Sequence, residues 1–84
     1  MFEIYLTKTF AREFKKFGKK ERERVKKKLF SSARNPLHFF ERLTGDGLFK
    51  LRIGKYRIIA QINFSKRKII LLSIKHRKKV YRKL

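Results

Sequence analysis

The chain contains no cysteine and no tryptophan, a single proline, four glycines and only 6 acidic residues in 84. Without cysteine there is no disulfide framework and no thiolate metal site, and the redox compartment stays undetermined. Metal-dependent nuclease chemistry needs carboxylates gathered around Mg²⁺, yet Glu3, Glu13, Glu21, Glu23, Glu41 and Asp46 are scattered, most of them ahead of the basic strands. Neither a metal nor another cofactor is expected. There is no glycine-rich phosphate loop, and a Ser-His-Asp triad would have to recruit Asp46 without an elbow motif. The longest apolar run is far too short to cross a bilayer, and Met1-Phe2-Glu3-Ile4-Tyr5 does not begin an export signal. No helix combines a basic face with tryptophan and a broad apolar stripe, which argues against a membrane-surface role. One domain over residues 1–84 is expected, cytoplasmic and without a membrane partner.

What the chain does have is positive charge. Lys and Arg number 26, giving a net charge of +20. Such a field attracts polyanions, so nucleic acid is the default partner and affinity should fall steeply with salt. The bland reading is a ribosomal or architectural protein that only coats RNA or DNA. The same self-repulsion makes an acidic protein partner plausible.

Phe2, Ile4 and Leu6 alternate with Glu3 and Tyr5, the period-2 pattern of a half-buried strand. Phe10, Phe14 and Phe17 then recur at helical spacing, with Thr7 or Thr9 to cap the start and Gly18 to close the end. A second helix carries Val25, Leu29 and Ala33 on one face with Phe30 beside them, and it stops at Asn35-Pro36. The two helices read as an antiparallel hairpin, and the Phe residues at 10, 14, 17 and 30 as core. Leu37 to Thr44 reads as a linker ending in the turn cluster Thr44-Gly45-Asp46-Gly47. Three strands follow over Leu48–Ile53, Tyr56–Phe64 and Lys68–Lys75. Gly54-Lys55 suits a two-residue type II′ hairpin, which places Arg52 opposite Arg57 and Lys50 opposite Ile59. A next loop centred on Lys66-Arg67 would put His76 opposite Arg57 on its other side. The expected architecture is α+β: an N-terminal strand, a helical hairpin packed on an antiparallel sheet, and a short basic C-terminal tail or helix.

The apolar run Ile69-Ile70-Leu71-Leu72-Ser73-Ile74 breaks into Lys75-His76-Arg77-Lys78-Lys79-Val80-Tyr81-Arg82. A buried strand thus delivers a His, an Arg and a Tyr to the surface. Metal-free RNA cleavage requires removal of the 2′-OH proton, stabilisation of charge on phosphoryl oxygens and protonation of the leaving 5′-oxygen. Arg57, Arg77 and Lys50 suit charge stabilisation, and His76 and Tyr81 are the neighbouring groups able to exchange protons. Surrounding cations favour the deprotonated forms of both, which suits a base better than an acid. Any single Lys or Arg in so basic a chain is more often a solvated charge, and Tyr81 can equally anchor the tail. Arg57 stands out because it interrupts an apolar strand beside Tyr56.

The element order, together with Leu43-Thr44-Gly45, Phe49-Lys50-Leu51-Arg52-Ile53-Gly54-Lys55-Tyr56-Arg57 and His76-Arg77-Lys78-Lys79-Val80-Tyr81, resembles the RelE/ParE toxin superfamily over nearly the whole chain. The resemblance implies a toxin held inactive by a cognate, acidic RelB-like antitoxin. In the RelE branch it implies a ribosome-dependent mRNA endonuclease whose concave sheet face meets mRNA in the A site. By that resemblance Tyr81 would help activate the 2′-OH, Arg57 and Lys50 would stabilise the phosphate, and Arg77 would assist the leaving group. His76 is a further candidate for proton transfer. Arg52, Lys55, Lys75, Lys78, Lys79 and Arg82 would bind RNA. ParE-type members poison DNA gyrase and generally lack this full set, so Lys50, Arg57, Arg77 and Tyr81 together favour the RelE branch. A gyrase poison or a non-catalytic basic RNA-binding protein remains the alternative.

Overall fold

A computed structural model describes residues 1–76 of the chain. Its elements are β1 (Glu3–Leu6), α1 (Lys8–Phe14), α2 (Lys19–Arg34), α3 (Pro36–Phe39), β2 (Glu41–Arg42), β3 (Leu48–Ile53), β4 (Tyr56–Asn63) and β5 (Lys68–His76). The strands form one sheet in the order β1-β5-β4-β3-β2. The helices cover one face, where Phe10, Val25 and Leu29 join Leu51, Ile58, Ile69, Leu71 and Ile74 in the core. No helix among the described residues is long and apolar enough to cross a membrane.

The α+β architecture is as expected, but the sheet is mixed rather than antiparallel. Strands β2 to β5 pair antiparallel, whereas β1 runs parallel to β5 with Ile4 against Ile69 and Leu6 against Leu71. Parallel neighbours need a long crossover, and everything from α1 to β4 supplies it. Thr7 fixes the entry into α1 at this edge: its Oγ1 accepts from the Phe10 amide at 3.2 Å and donates to the Leu71 carbonyl at 2.8 Å. It is thus the helix cap and a substitute for continued strand pairing.

Local corrections have simple causes. Gly18 does not close α1, which ends at Phe14; it is the N-cap of α2, with extended backbone angles (φ −67, ψ 165). Tight turns that bond Lys16 to Glu13 and Phe17 to Phe14 make the reversal without a left-handed residue. Phe30 is not core but 65% exposed, because Val25, Leu29, Ser32 and Ala33 define the buried stripe of α2 and Phe30 lies off it. The stretch read as a linker holds α3, begun by Pro36 near its first position, and the two-residue β2. The Gly54-Lys55 turn behaves as its type requires, with Gly54 at φ 58 and Lys55 not in the left-handed region.

Beyond β1, the outer edge of β5 is closed by a side chain. Glu13 Oε1 accepts from the Ile74 amide at 3.1 Å, and its other oxygen pairs with the Lys75 ammonium. The Glu13 side chain is only 15% exposed. At the same end of the sheet the Tyr56 ring packs 4.4 Å from Phe17 and edge-on to His76 at 5.7 Å. Burial first, then the charge of Glu21 and a hydrogen bond to it, raise Tyr56 above the ordinary 10.0.

Two outcomes follow from these contacts. Glu13→Ala leaves the Ile74 amide and Lys75 without their acceptor and should cost about 1–3 kcal/mol. The exposed Glu23, 3.9 Å from Lys26, should cost under about 0.5 kcal/mol when changed to Ala. Thermal unfolding of both variants checks the difference. For Tyr56, a raised folded value means stability present below the ordinary phenol value and lost as pH climbs through the folded one. Absorbance titration should show a phenolate component above the ordinary value that disappears in Tyr56→Phe.

Candidate functional site

The face of the sheet without helices carries the basic residues, because they alternate with core positions along each strand. In β3, Phe49, Leu51 and Ile53 are buried toward the helices while Lys50 and Arg52 point the other way. The hairpin register is the expected one: Arg52 faces Arg57, Lys50 faces Ile59 and Ile53 faces Tyr56. On its other side, however, Arg57 faces Lys75, and His76 faces Tyr56. The loop after β4 follows the pair Asn63–Lys68, centred one residue earlier than Lys66-Arg67, which alone would move the partner of Arg57 to Ile74, and a β-bulge between Ile59 and Ala60 moves it back by one residue to Lys75. His76 therefore lies on the Tyr56 side, ring against ring, rather than in the row of Arg57.

The result is a cationic row, Arg52–Arg57–Lys75, across three strands, with Lys50 beside it. Arg57 is 9% exposed, at the limit of burial, an uncommon setting for arginine. Two acids stand at the flanks of the row. Glu41, directly opposite Lys50 on β2, binds its Nζ at 3.0 Å. The hydrogen bond from Lys50, then the charge of Lys50 and those of Arg52 and Arg57, hold the exposed Glu41 carboxyl below its ordinary value. Glu13 binds Lys75 at the other flank. A row of guanidinium and ammonium groups is suited to a phosphate.

Lys55 is exposed in the hairpin turn beside this row. Arg77, Lys78, Lys79, Tyr81 and Arg82 lie outside the described residues. Among the described residues, no three acidic or imidazole side chains gather as a metal site. The sequence reading passed over Glu13 and Glu41, whose roles depend on partners distant in sequence, and over His38 and Phe39, which line a cleft with Lys50 and Arg52. The sequence signal for the cleft is a His-Phe pair shortly before an acid, within the stretch that reads as a linker.

No curated protein matches the sequence. Among solved structures, the fold is similar to the RelBE2 toxin–antitoxin complex of Mycobacterium tuberculosis, with a TM-score of 0.81 and 25% identity over 90% of this chain and 98% of that one. It is similar to the E. coli RelBE toxin–antitoxin complex with a TM-score of 0.75 and 25% identity, over 90% of this chain and 96% of that one. The archaeal RelE–RelB complex of Pyrococcus horikoshii shares the fold, with a TM-score of 0.77 and 23% identity over 90% and 94% of the two chains. The family described as ParE toxin of type II toxin-antitoxin system, parDE, matches residues 4–81. The chain belongs to the RelE/ParE superfamily of toxins of type II toxin–antitoxin systems.

Proposed function

We propose that this toxin is a RelE-like mRNA interferase: a ribosome-dependent endoribonuclease that acts in the cytoplasm on mRNA in the A site. The observation that carries the reading is the cationic row Arg52–Arg57–Lys75 with Lys50, fixed by strand register across β3, β4 and β5. Cleavage by 2′-OH attack builds charge on the phosphoryl oxygens, and guanidinium and ammonium donors fixed on strands are suited to receive it. Arg57 and Lys50 take that role. Tyr81 activates the 2′-OH and Arg77 assists the leaving 5′-oxygen; His76, turned toward Tyr56, is the weaker choice for proton transfer. The remaining cations, Arg52, Lys55, Lys75, Lys78, Lys79 and Arg82, hold RNA. No metal enters this chemistry.

An acidic, RelB-like antitoxin fits the +20 charge. Such a chain, partly disordered when free, would fold onto the basic face and cover the row. The similar solved structures include RelB–RelE complexes, which supports a partner of this class. A second reading is favoured by the description of the matching family as ParE toxin: poisoning of DNA gyrase without RNA cleavage.

Mapping 3′ ends of an mRNA translated by purified ribosomes separates the two. The interferase should cut inside A-site codons, Arg57→Ala should lower the rate about 100- to 1,000-fold, and Tyr81→Phe should abolish most of it. An intact message together with inhibited supercoiling by gyrase would establish the second reading instead.

A further inference from the structure

β2 pairs only Glu41 with Lys50 and Arg42 with Phe49, so no strand in the described residues extends past Leu51 and Arg52 on that edge of β3. In the gap between α3, α2 and this edge lies a cleft of about 540 Å³. That size is within the roughly 300–1,000 Å³ of small-ligand sites. One wall is aromatic: His38 and Phe39 stand edge to face with centroids 4.9 Å apart. The Lys28 ammonium lies 5.4 Å from the Phe39 centroid. The opposite wall is Lys50, bonded to Glu41, and Arg52.

The lining selects its ligand. A simple anion would use the cations and ignore the rings, whereas a hydrocarbon would strip water from the Lys and Arg heads. One unstacked nucleotide of single-stranded RNA uses both walls, its base on the aromatic ring and its phosphates on the cations. Glu41 adds a carboxylate acceptor for amino groups on a base edge. Lys50 and Arg52 belong to both the cleft and the cationic row, so strand continuity carries a bound chain from one to the other.

We infer that the cleft between α3 and the β3 edge is a nucleobase subsite, seating on His38 and Phe39 one base of the RNA whose neighbouring phosphate lies on Lys50 and Arg52. The inference rests on the RNA-cleaving reading and adds to it where the substrate is read outside the scissile position. His38 supplies the exposed stacking surface, and Phe39, partly buried against the core, fixes its orientation.

The test is binding, not cleavage. A fluorescein-labelled, fully 2′-O-methylated 10-nucleotide RNA, which cannot undergo 2′-OH attack, is titrated with the full-length protein and followed by anisotropy. An abasic nucleotide is then placed at each position in turn. One position should show a loss of about five- to hundred-fold, and that loss should vanish in His38→Ala and shrink in Phe39→Leu. Circular dichroism confirms that both variants fold, and His38→Ala alone suffices if Phe39→Leu does not. No RNA binding, or the same abasic profile in wild type and His38→Ala, overturns the subsite. Failure of the cleavage reading has a different signature: an intact translated message with the His38-dependent abasic penalty still present leaves the subsite standing on a non-cleaving toxin.

Discussion

Arg57 is the constraint around which the sheet is built. It is buried at the second position of β4 with Arg52 opposite it on one side and Lys75 on the other, and like charges placed directly opposite each other on a sheet are destabilising. The same strands are held by their other face. Leu51, Ile58 and Ile74 adjoin the row and are buried, each contributing about 1.5–3 kcal/mol. Apolar burial thus outweighs the repulsion, and the sheet keeps in register a set of cations that would separate if free.

Two of the few acids pair with cations of this surface. Glu13 reaches from α1 to Lys75 and to the backbone of β5, and Glu41 reaches from β2 to Lys50. Both act at the flanks. The backbones of Arg52 and Arg57 are fixed opposite each other on neighbouring strands. Glu13 therefore joins stability to the geometry of the site: the contact that closes the β5 edge also holds the strand that leads into the tail.

The β-bulge decides which side chains share a face. Without it, the pairing of Asn63 with Lys68 would carry Ile74 opposite Arg57 and turn an apolar residue onto the basic face. With the extra residue, Ile69, Leu71 and Ile74 all enter the core, and Lys75 takes the place beside Arg57 while His76 meets Tyr56. Bulges commonly re-aim side chains next to functional sites, and this one sets which titratable group stands beside the arginines.

Sequence alone determined the elements whose signals are local. The period-2 and period-3.6 patterns mark β1, the helices α1 and α2 and the three long strands, Gly54-Lys55 sets the hairpin register that brings Arg52 to Arg57, and the excess of cations points to a polyanion. The tertiary structure alone decided the rest. In Ile69-Ile70-Leu71-Leu72-Ser73-Ile74 every position but one is apolar, so alternation could not reveal the bulge or the true neighbour of Arg57. Phe30 is as apolar as Leu29, and only the packed sheet shows which of them points inward. The parallel edge at β1, the Glu13 closure and the His38–Phe39 cleft join residues far apart along the chain, whose meeting depends on long-range packing that no local pattern encodes.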